Sequence, residues 1–360
     1  MNKNDIDKIV RDYLRKKGLP ENIAVTFPDV TIKDNFSNIS SRSDILDLKA
    51  RLSEKIKIDI PIVSANMDTV TGSRMAIAIA KSGGLGFIHQ FAPIKERVEE
   101  VKKVKKAKLK VGAAVGLSKN YMLETESLLK AGIDVLLLDT ARANCEKVQK
   151  ATKEIKKVFK KVQLIVGNVD TSEATLMLIE AGADGVKVGI GPGSACKTRE
   201  VAGVGIPQIT AIALCSAIAQ KFGTPIIADG GIKFISDIGK AIVAGADTVM
   251  IGSLFAGADE SPGQLHRDTN ELWKIYRGSA SLEHQLDRLG NGNLGKTRTP
   301  EGVLRKIPYT GPVKSIVESM IEGLCSSMSY VGTKRLVNFL QKGKFVYQTR
   351  AGYEEGMPKI

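Results

Sequence analysis

Short apolar runs alternate with longer amphipathic ones along most of this chain. The apolar runs are Ile60–Asn66, Leu85–His89, Lys110–Gly116, Asp134–Thr140, Gln163–Val169, Gly185–Gly191, Pro225–Gly231 and Thr248–Leu254. Each reads as a short strand. Between them lie helical patterns such as SRMAIAIAKSG, SEATLMLIEAGA and ISDIGKAIVAGA. The recurring Ala-Gly-Ala and Ala-Gly-Ile steps at the ends of these patterns suit a helix C-cap followed by a return to strand. Eight strands, each followed by a helical crossover, predict an α/β fold, a (β/α)8 TIM barrel.

Polar residues and glycines gather just after the predicted strands. They are Asn66 and Asp68, His89, Asp139, Asn168, Ser194 and Cys196, Asp229 and Gly230, and Gly252 and Ser253. A polar residue after one strand is an ordinary turn. Polar residues after nearly every strand mark the face where barrel enzymes keep their chemistry.

The stretch Gly189–Gly205, GIGPGSACKTREVAGVG, stands out. Its glycines let backbone approach a ligand closely. Its cysteine, Cys196, has Lys197 and Arg199 beside it, a field suited to a thiolate nucleophile. The other cysteines, Cys145, Cys215 and Cys325, sit in helical or apolar contexts and read as buried thiols. Four scattered cysteines show neither metal-site spacing nor a disulfide framework, which suits a reducing cytoplasm.

Composition narrows the partners. The chain has 360 residues and a formal net charge of +14. The excess lies in helical patches such as Lys95–Lys110 and Lys153–Gln163, where acidic residues are interleaved and stacking aromatics are absent. These read as solvated helix faces, not as a nucleic-acid surface. A basic field still attracts phosphorylated small molecules. No apolar run reaches the length of a membrane span, and the charged N-terminus lacks a signal-peptide core.

The run Gly189–Ile212 resembles the active-site loop of the IMP dehydrogenase/GMP reductase family. The similarity continues at Ser64–Thr71, Gly83–His89, Ile226–Ile232, Val249–Gly257, Pro300–Gly302 and Ser326–Gly332. It covers the chain from about Phe27 to about Ala351. It implies one catalytic barrel over residues 1–360: an N-terminal arm over 1–50, a barrel over about 58–265, and a flap with C-terminal extension over about 266–360. The regulatory CBS modules of many dehydrogenases are not expected, because only one helix fits between the second and third strands.

The resemblance also implies roles. Cys196 attacks carbon 2 of a purine nucleoside monophosphate, and hydride moves between that carbon and a nicotinamide. Thr198 and Glu301 act on the group at carbon 2. Asp229 holds ribose hydroxyls, and Tyr276 reaches the phosphate. The phosphate is cradled by Ser194, Gly230, Gly231, Gly252 and Ser253. Ser64, Asn168, Gly278 and Gly302 complete the nucleotide pocket. Asp139 and Ala141 face the nicotinamide. Arg142 either meets a phosphate, which suits NADPH over NAD, or is a surface residue. Carbonyls of Gly191, Gly193 and Cys196 resemble a monovalent-cation site, K+ in particular, completed by a neighbouring subunit of a homotetramer.

Both family reactions share the cysteine adduct. Oxidation of IMP requires water activation, which the family assigns to an Arg-Tyr pair on the flap. Here Arg288 is followed by Leu289. The short flap and Arg298, which would line the guanine pocket, favour GMP reductase. Gln90, where the family usually has lysine, speaks for IMP dehydrogenase, since a lysine is the obvious proton source for ammonia release.

Overall fold

The computed structural model describes residues 1–268, 271–278, 281 and 299–358. Eight parallel strands close into a barrel: β1 (Ile62–Ser64), β2 (Leu85–Ile88), β3 (Gly112–Val115), β4 (Val135–Asp139), β5 (Leu164–Val169), β6 (Gly185–Val188), β7 (Ile226–Asp229) and β8 (Thr248–Ile251). Neighbours in sequence are neighbours in the barrel, and β8 pairs with β1 through Met250 opposite Val63. Every one of these strands lies within an apolar run named above. Most of their residues are buried, because the barrel interior fills one face and helices cover the other.

The crossover helices are α1 (Ser73–Lys81), α2 (Ile94–Lys106), α3 (Tyr121–Ala131), α4 (Glu146–Val158), α5 (Ser172–Glu180), α6 (Gln208–Phe222) and α7 (Ile235–Ala244). One helix, α2, joins β2 to β3. The eighth crossover helix is α8 (Val313–Val331), which packs between α7 and α1. This helix lies beyond residue 265, in the C-terminal extension. The chain leaves β8, builds a three-stranded antiparallel ribbon (His266–Arg267, Leu272–Arg277 and Leu304–Pro308), and only then returns to complete the helical ring.

The basic helix patches are partly neutralised by their own acids. Lys102 pairs with Glu99, Lys103 with Glu100 and Lys130 with Glu126 along single helices. These are the i,i+3 and i,i+4 spacings at which helical side chains meet.

The N-terminal residues wrap the barrel. Helix Lys3–Lys17 is capped by Asn2, whose side chain accepts the Asp5 N–H at 2.9 Å, and it packs on α6. Strand Val30–Ile32 pairs with Phe345–Tyr347 near the C-terminus. The hairpin Ala50–Arg51 with Lys57–Ile58 brings buried Leu52 against the start of β6 at the N-terminal end of the barrel. That leaves the opposite end open, where the chemistry-bearing residues lie.

Candidate active site

A cavity of about 380 Å3 occupies the C-terminal end of the barrel. The loop after β6 forms one wall. Gly189 has φ of +145°, and a Cβ there would stand 2.1 Å from the Asp229 carbonyl. Only glycine lets this loop pass so close to the end of β7. Arg199 then staples the loop to itself. Its Nε donates to the Ile190 carbonyl at 3.0 Å and its Nη2 to the Ile206 carbonyl at 2.6 Å. Lys197 lies 3.5 Å from Glu200. Arg199 thus shapes the loop while still acting electrostatically on Cys196, and Lys197 meets Glu200 near the surface.

Cys196 is exposed to the cavity, and its backbone bridges that of Gly302. The Cys196 thiol donates to Thr198 Oγ1 at 3.2 Å, and that hydroxyl donates to Glu301 Oε2 at 2.7 Å. The Lys197 N–H donates to the Glu301 carbonyl at 2.6 Å, and the Val303 N–H to the Ala195 carbonyl at 3.0 Å. Residues more than 100 positions apart thereby form a continuous thiol–hydroxyl–carboxylate chain. The ribbon that brings Glu301 is bolted to the barrel by Arg277, whose Nε and Nη2 meet Asp68 Oδ2 at 2.8 and 2.5 Å.

Tyr276, on the same ribbon, is buried and points at the β1 and β8 ends, with its hydroxyl 3.5 Å from Met67 Sδ. Burial pushes its phenol up to about 12, so it stays a protonated donor at neutral pH. Gly230, Gly231, Gly252 and Ser253 line the cavity beside it. Asn168 Oδ1 is sequestered from solvent without a hydrogen-bond partner, and Ser194 Oγ, equally sequestered, lies beside the Tyr276 hydroxyl. Buried polar atoms of this kind are normally satisfied. A sugar-phosphate lying along this wall would satisfy them.

The floor is a charged network. Lys187 of β6 lies between Asp229 of β7 and Asp139 of β4, 3.0 Å from Asp139 Oδ1 and in close contact with Asp229 Oδ2. Asn168 Nδ2 donates to Asp229 Oδ2 at 2.9 Å, and Asn66 Nδ2 to Asp139 Oδ2 at 2.9 Å. Gln90 Nε2 donates to the same Asp139 oxygen at 3.1 Å. Burial disfavours the Lys187 ammonium, but the two carboxylates more than offset it and hold its pKa above the ordinary lysine value. Gln208 donates to the Val188 and Asp229 carbonyls at 3.0 and 3.1 Å, fixing the ends of β6 and β7.

The structure brings Cys196, Thr198, Glu301, Asn168, Ser194, Asp229, Tyr276, Gly278, Gly302, Asp139 and Ala141 to one cavity. Ser64 is an exception: it is fully buried, accepts from Thr71 Oγ1 at 2.9 Å, and does not line the cavity. Arg142 is exposed and also stands off the cavity. Cys145, expected to be buried, is half-buried at the start of α4, while Cys215 and Cys325 are buried. Arg288 and Arg298 lie outside the described residues.

The sequence reading did not single out Lys187 or Gln208, though Lys187 had a legible signal as a lone charge in the strand GVKV. The cation assignment fits this chain poorly on its own. Gly191 and Gly193 line the cavity, but the Gly193 carbonyl accepts the Cys196 N–H at 3.0 Å. Among the described residues no His, Cys, Asp or Glu cluster suited to a metal ion adds ligands, and three carbonyls fall short of the oxygen shell a hard cation takes.

The fold and site define a (β/α)8 barrel with an exposed thiol on its sixth loop, at the mouth of the cavity. The family model described as IMP dehydrogenase / GMP reductase domain matches residues 24–359, and the chain belongs to that family of purine nucleotide oxidoreductases. The inosine-5'-monophosphate dehydrogenase of Cryptosporidium parvum is 38% identical over 379 residues, covering 92% of this chain and 94% of that protein. That of Borreliella burgdorferi is 37% identical over 395 residues, covering 93% and 96%. That of Bacillus subtilis is 33% identical over 466 residues, covering 93% and 95%. The last alignment runs over more positions than this chain has residues, so the Bacillus protein carries an internal stretch without counterpart here.

Proposed function

We propose that this chain is an IMP dehydrogenase, which oxidises IMP to XMP with a nicotinamide cofactor and water. The observation that carries the chemistry is the Cys196–Thr198–Glu301 chain. A thiol bonded through a hydroxyl to a carboxylate has a route for its proton as it turns nucleophile. Cys196 sulfur bonds to purine carbon 2, and the hydrogen on that carbon leaves as hydride. Water then adds to the resulting thioimidate, the C–S bond breaks, and XMP departs. Glu301, acting through Thr198, takes up the proton lost at the thiol or at the attacking water.

Asp229 supplies a carboxylate to ribose hydroxyls. Ser194 Oγ and the protonated Tyr276 hydroxyl supply donors at the phosphate end. Gln90, Thr140 and Ala141 line the side of the cavity toward β2 and β4, where a dinucleotide would lie. A nicotinamide dinucleotide held by these residues would supply the hydride acceptor. Arg142 stands off this wall, which favours NAD over NADPH.

This reading replaces the expectation of GMP reductase. The relatives just described are all named as IMP dehydrogenases. Expelling ammonia also requires a proton for the leaving amine. Gln90, at the position of the expected lysine, is a neutral amide bonded to Asp139. Lys187 holds its proton between two carboxylates. The short flap and Arg298, which suggested the reductase, lie outside the described residues. Product analysis with IMP plus NAD, and separately with GMP plus NADPH, decides between the two.

A further inference from the structure

We propose that Lys187 is a positioning residue that couples the nucleotide half of the site to the nicotinamide half. The inference rests on the reading of the cavity given under Proposed function. Lys187 is 2% exposed and stands in β6. β5 separates β6 from β4 in the barrel, while β7 is its other neighbour. One ammonium therefore ties together the ends of two strands that do not touch each other: β4, carrying Asp139, and β7, carrying Asp229. In the proposed complex these carboxylates serve different ligands.

The surrounding groups leave Lys187 as the cluster's counterion. Asn66 and Gln90 give neutral amides to Asp139. Asn168 of β5 gives a neutral amide to Asp229 and to the Gly189 carbonyl, the latter at 2.7 Å. Tyr276, which feels the field of Asp229, is held neutral by burial. Two carboxylates thus share one ammonium. Without it they would face each other across a partly desolvated gap, where like charges do not both stay ionised. With it, both are held and aimed by one cation. An ammonium drawn toward one carboxylate loosens its hold on the other, so each ligand's effect on its own aspartate reaches the other half of the site. Such coupling is reciprocal.

The test measures IMP binding calorimetrically, without cofactor, across neutral and mildly alkaline pH. It uses the full chain as wild type, Lys187→Met, Lys187→Met with Asp139→Asn, and Asp139→Asn alone. Each variant is compared with wild type at the same pH, so that the protonation of IMP itself cancels. Lys187→Met should weaken IMP binding by about tenfold, the scale of a lost charge-assisted bond, and add an inflection where the aspartate pair exchanges one proton. Adding Asp139→Asn should abolish that inflection, because one carboxylate no longer meets a second. Asp139→Asn alone should weaken IMP binding by about fivefold, the scale of a modest coupling, because Asp229 then holds the whole ammonium. This last variant retains Lys187 and carries the test if Lys187→Met does not fold.

A uniform loss in Lys187→Met with no inflection would assign Lys187 a scaffold role and overturn the proposal. So would unchanged IMP affinity in Asp139→Asn. Wild-type protein that binds neither IMP nor GMP would instead overturn the purine-nucleotide reading, and the coupling proposal would fall with it.

Discussion

Replacing Glu301 by glutamine tests the thiol–hydroxyl–carboxylate chain at its far end. The side chain keeps its length, and the backbone contact from the Lys197 N–H to the Glu301 carbonyl is untouched. What changes is the acceptor 2.7 Å from Thr198 Oγ1. A carboxylate accepts a charge-assisted hydrogen bond, roughly twice as strong as a neutral one. It can also take a proton, which an amide cannot. Losing the stronger bond alone costs about 1 to 2 kcal/mol, about tenfold in rate. Losing a positioned acid-base group costs about a hundredfold or more. The Glu301→Gln enzyme should therefore turn over about a hundredfold more slowly than wild type, with IMP affinity nearly unchanged. Stopped-flow absorbance of reduced nicotinamide separates the two half-reactions. The first-turnover burst should survive better than the steady state, because hydrolysis needs a fresh proton acceptor. Equal rates in wild type and variant for both phases would show that Glu301 is only a loop residue, and the relay assignment would be wrong.

Three further outcomes follow from the same structure. Cys196→Ala should abolish turnover while IMP still binds, and a halogenated purine nucleotide should alkylate Cys196 and spare Cys215, which is fully buried with its thiol pushed up to about 12 by that burial; peptide mass spectrometry reads both sites. Lys274 is buried and donates to the Ala258 and Ser261 carbonyls at 2.8 and 3.0 Å. Lys274→Met should leave the Ser261 carbonyl unpaired, while the Ala258 carbonyl keeps the Ser261 hydroxyl at 2.9 Å; it should lower the melting temperature at a cost of about 1 to 3 kcal/mol and raise the KM for IMP by loosening the ribbon that carries Tyr276. Asp247 is raised by burial to about 6, against an opposing effect from Arg51, so the folded state binds its proton more tightly than the unfolded chain does. Its contribution to stability should then fall as pH rises from the ordinary aspartate range through about 6, and the difference in melting temperature between wild type and Asp247→Asn should follow that course.

The barrel was legible because its strands are short, apolar and evenly interrupted. Each barrel strand falls inside a run marked by hydrophobicity alone, and the hydrogen-bonded part is shorter than the run, as with Ile62–Ser64 inside Ile60–Asn66. The eighth helix was hidden by distance. Its apolar stripe is clear in Val313–Val331, but the ribbon inserted after β8 separates it from the strand it follows in the barrel. Local pattern does not carry that connection. The site was legible where glycines and a nucleophile cluster in sequence, as around Cys196. It was less legible where partners come from separate strand ends. Asp139 and Asp229 could be placed at the barrel mouth and Lys187 shows as a lone charge in GVKV, but that it joins the two depends on how the strands are arranged around the barrel. Ser64 shows the same limit: whether a residue at the end of β1 faces the cavity or Thr71 depends on the packing of the following loop.

The most direct measurement is steady-state product analysis of the purified chain with IMP, NAD and water. IMP dehydrogenation through Cys196 predicts XMP and reduced nicotinamide in equal amounts, both lost in Cys196→Ala. Robust ammonia and IMP from GMP with NADPH, with no XMP from IMP, would contradict it and assign the chain to the reductase branch of its family.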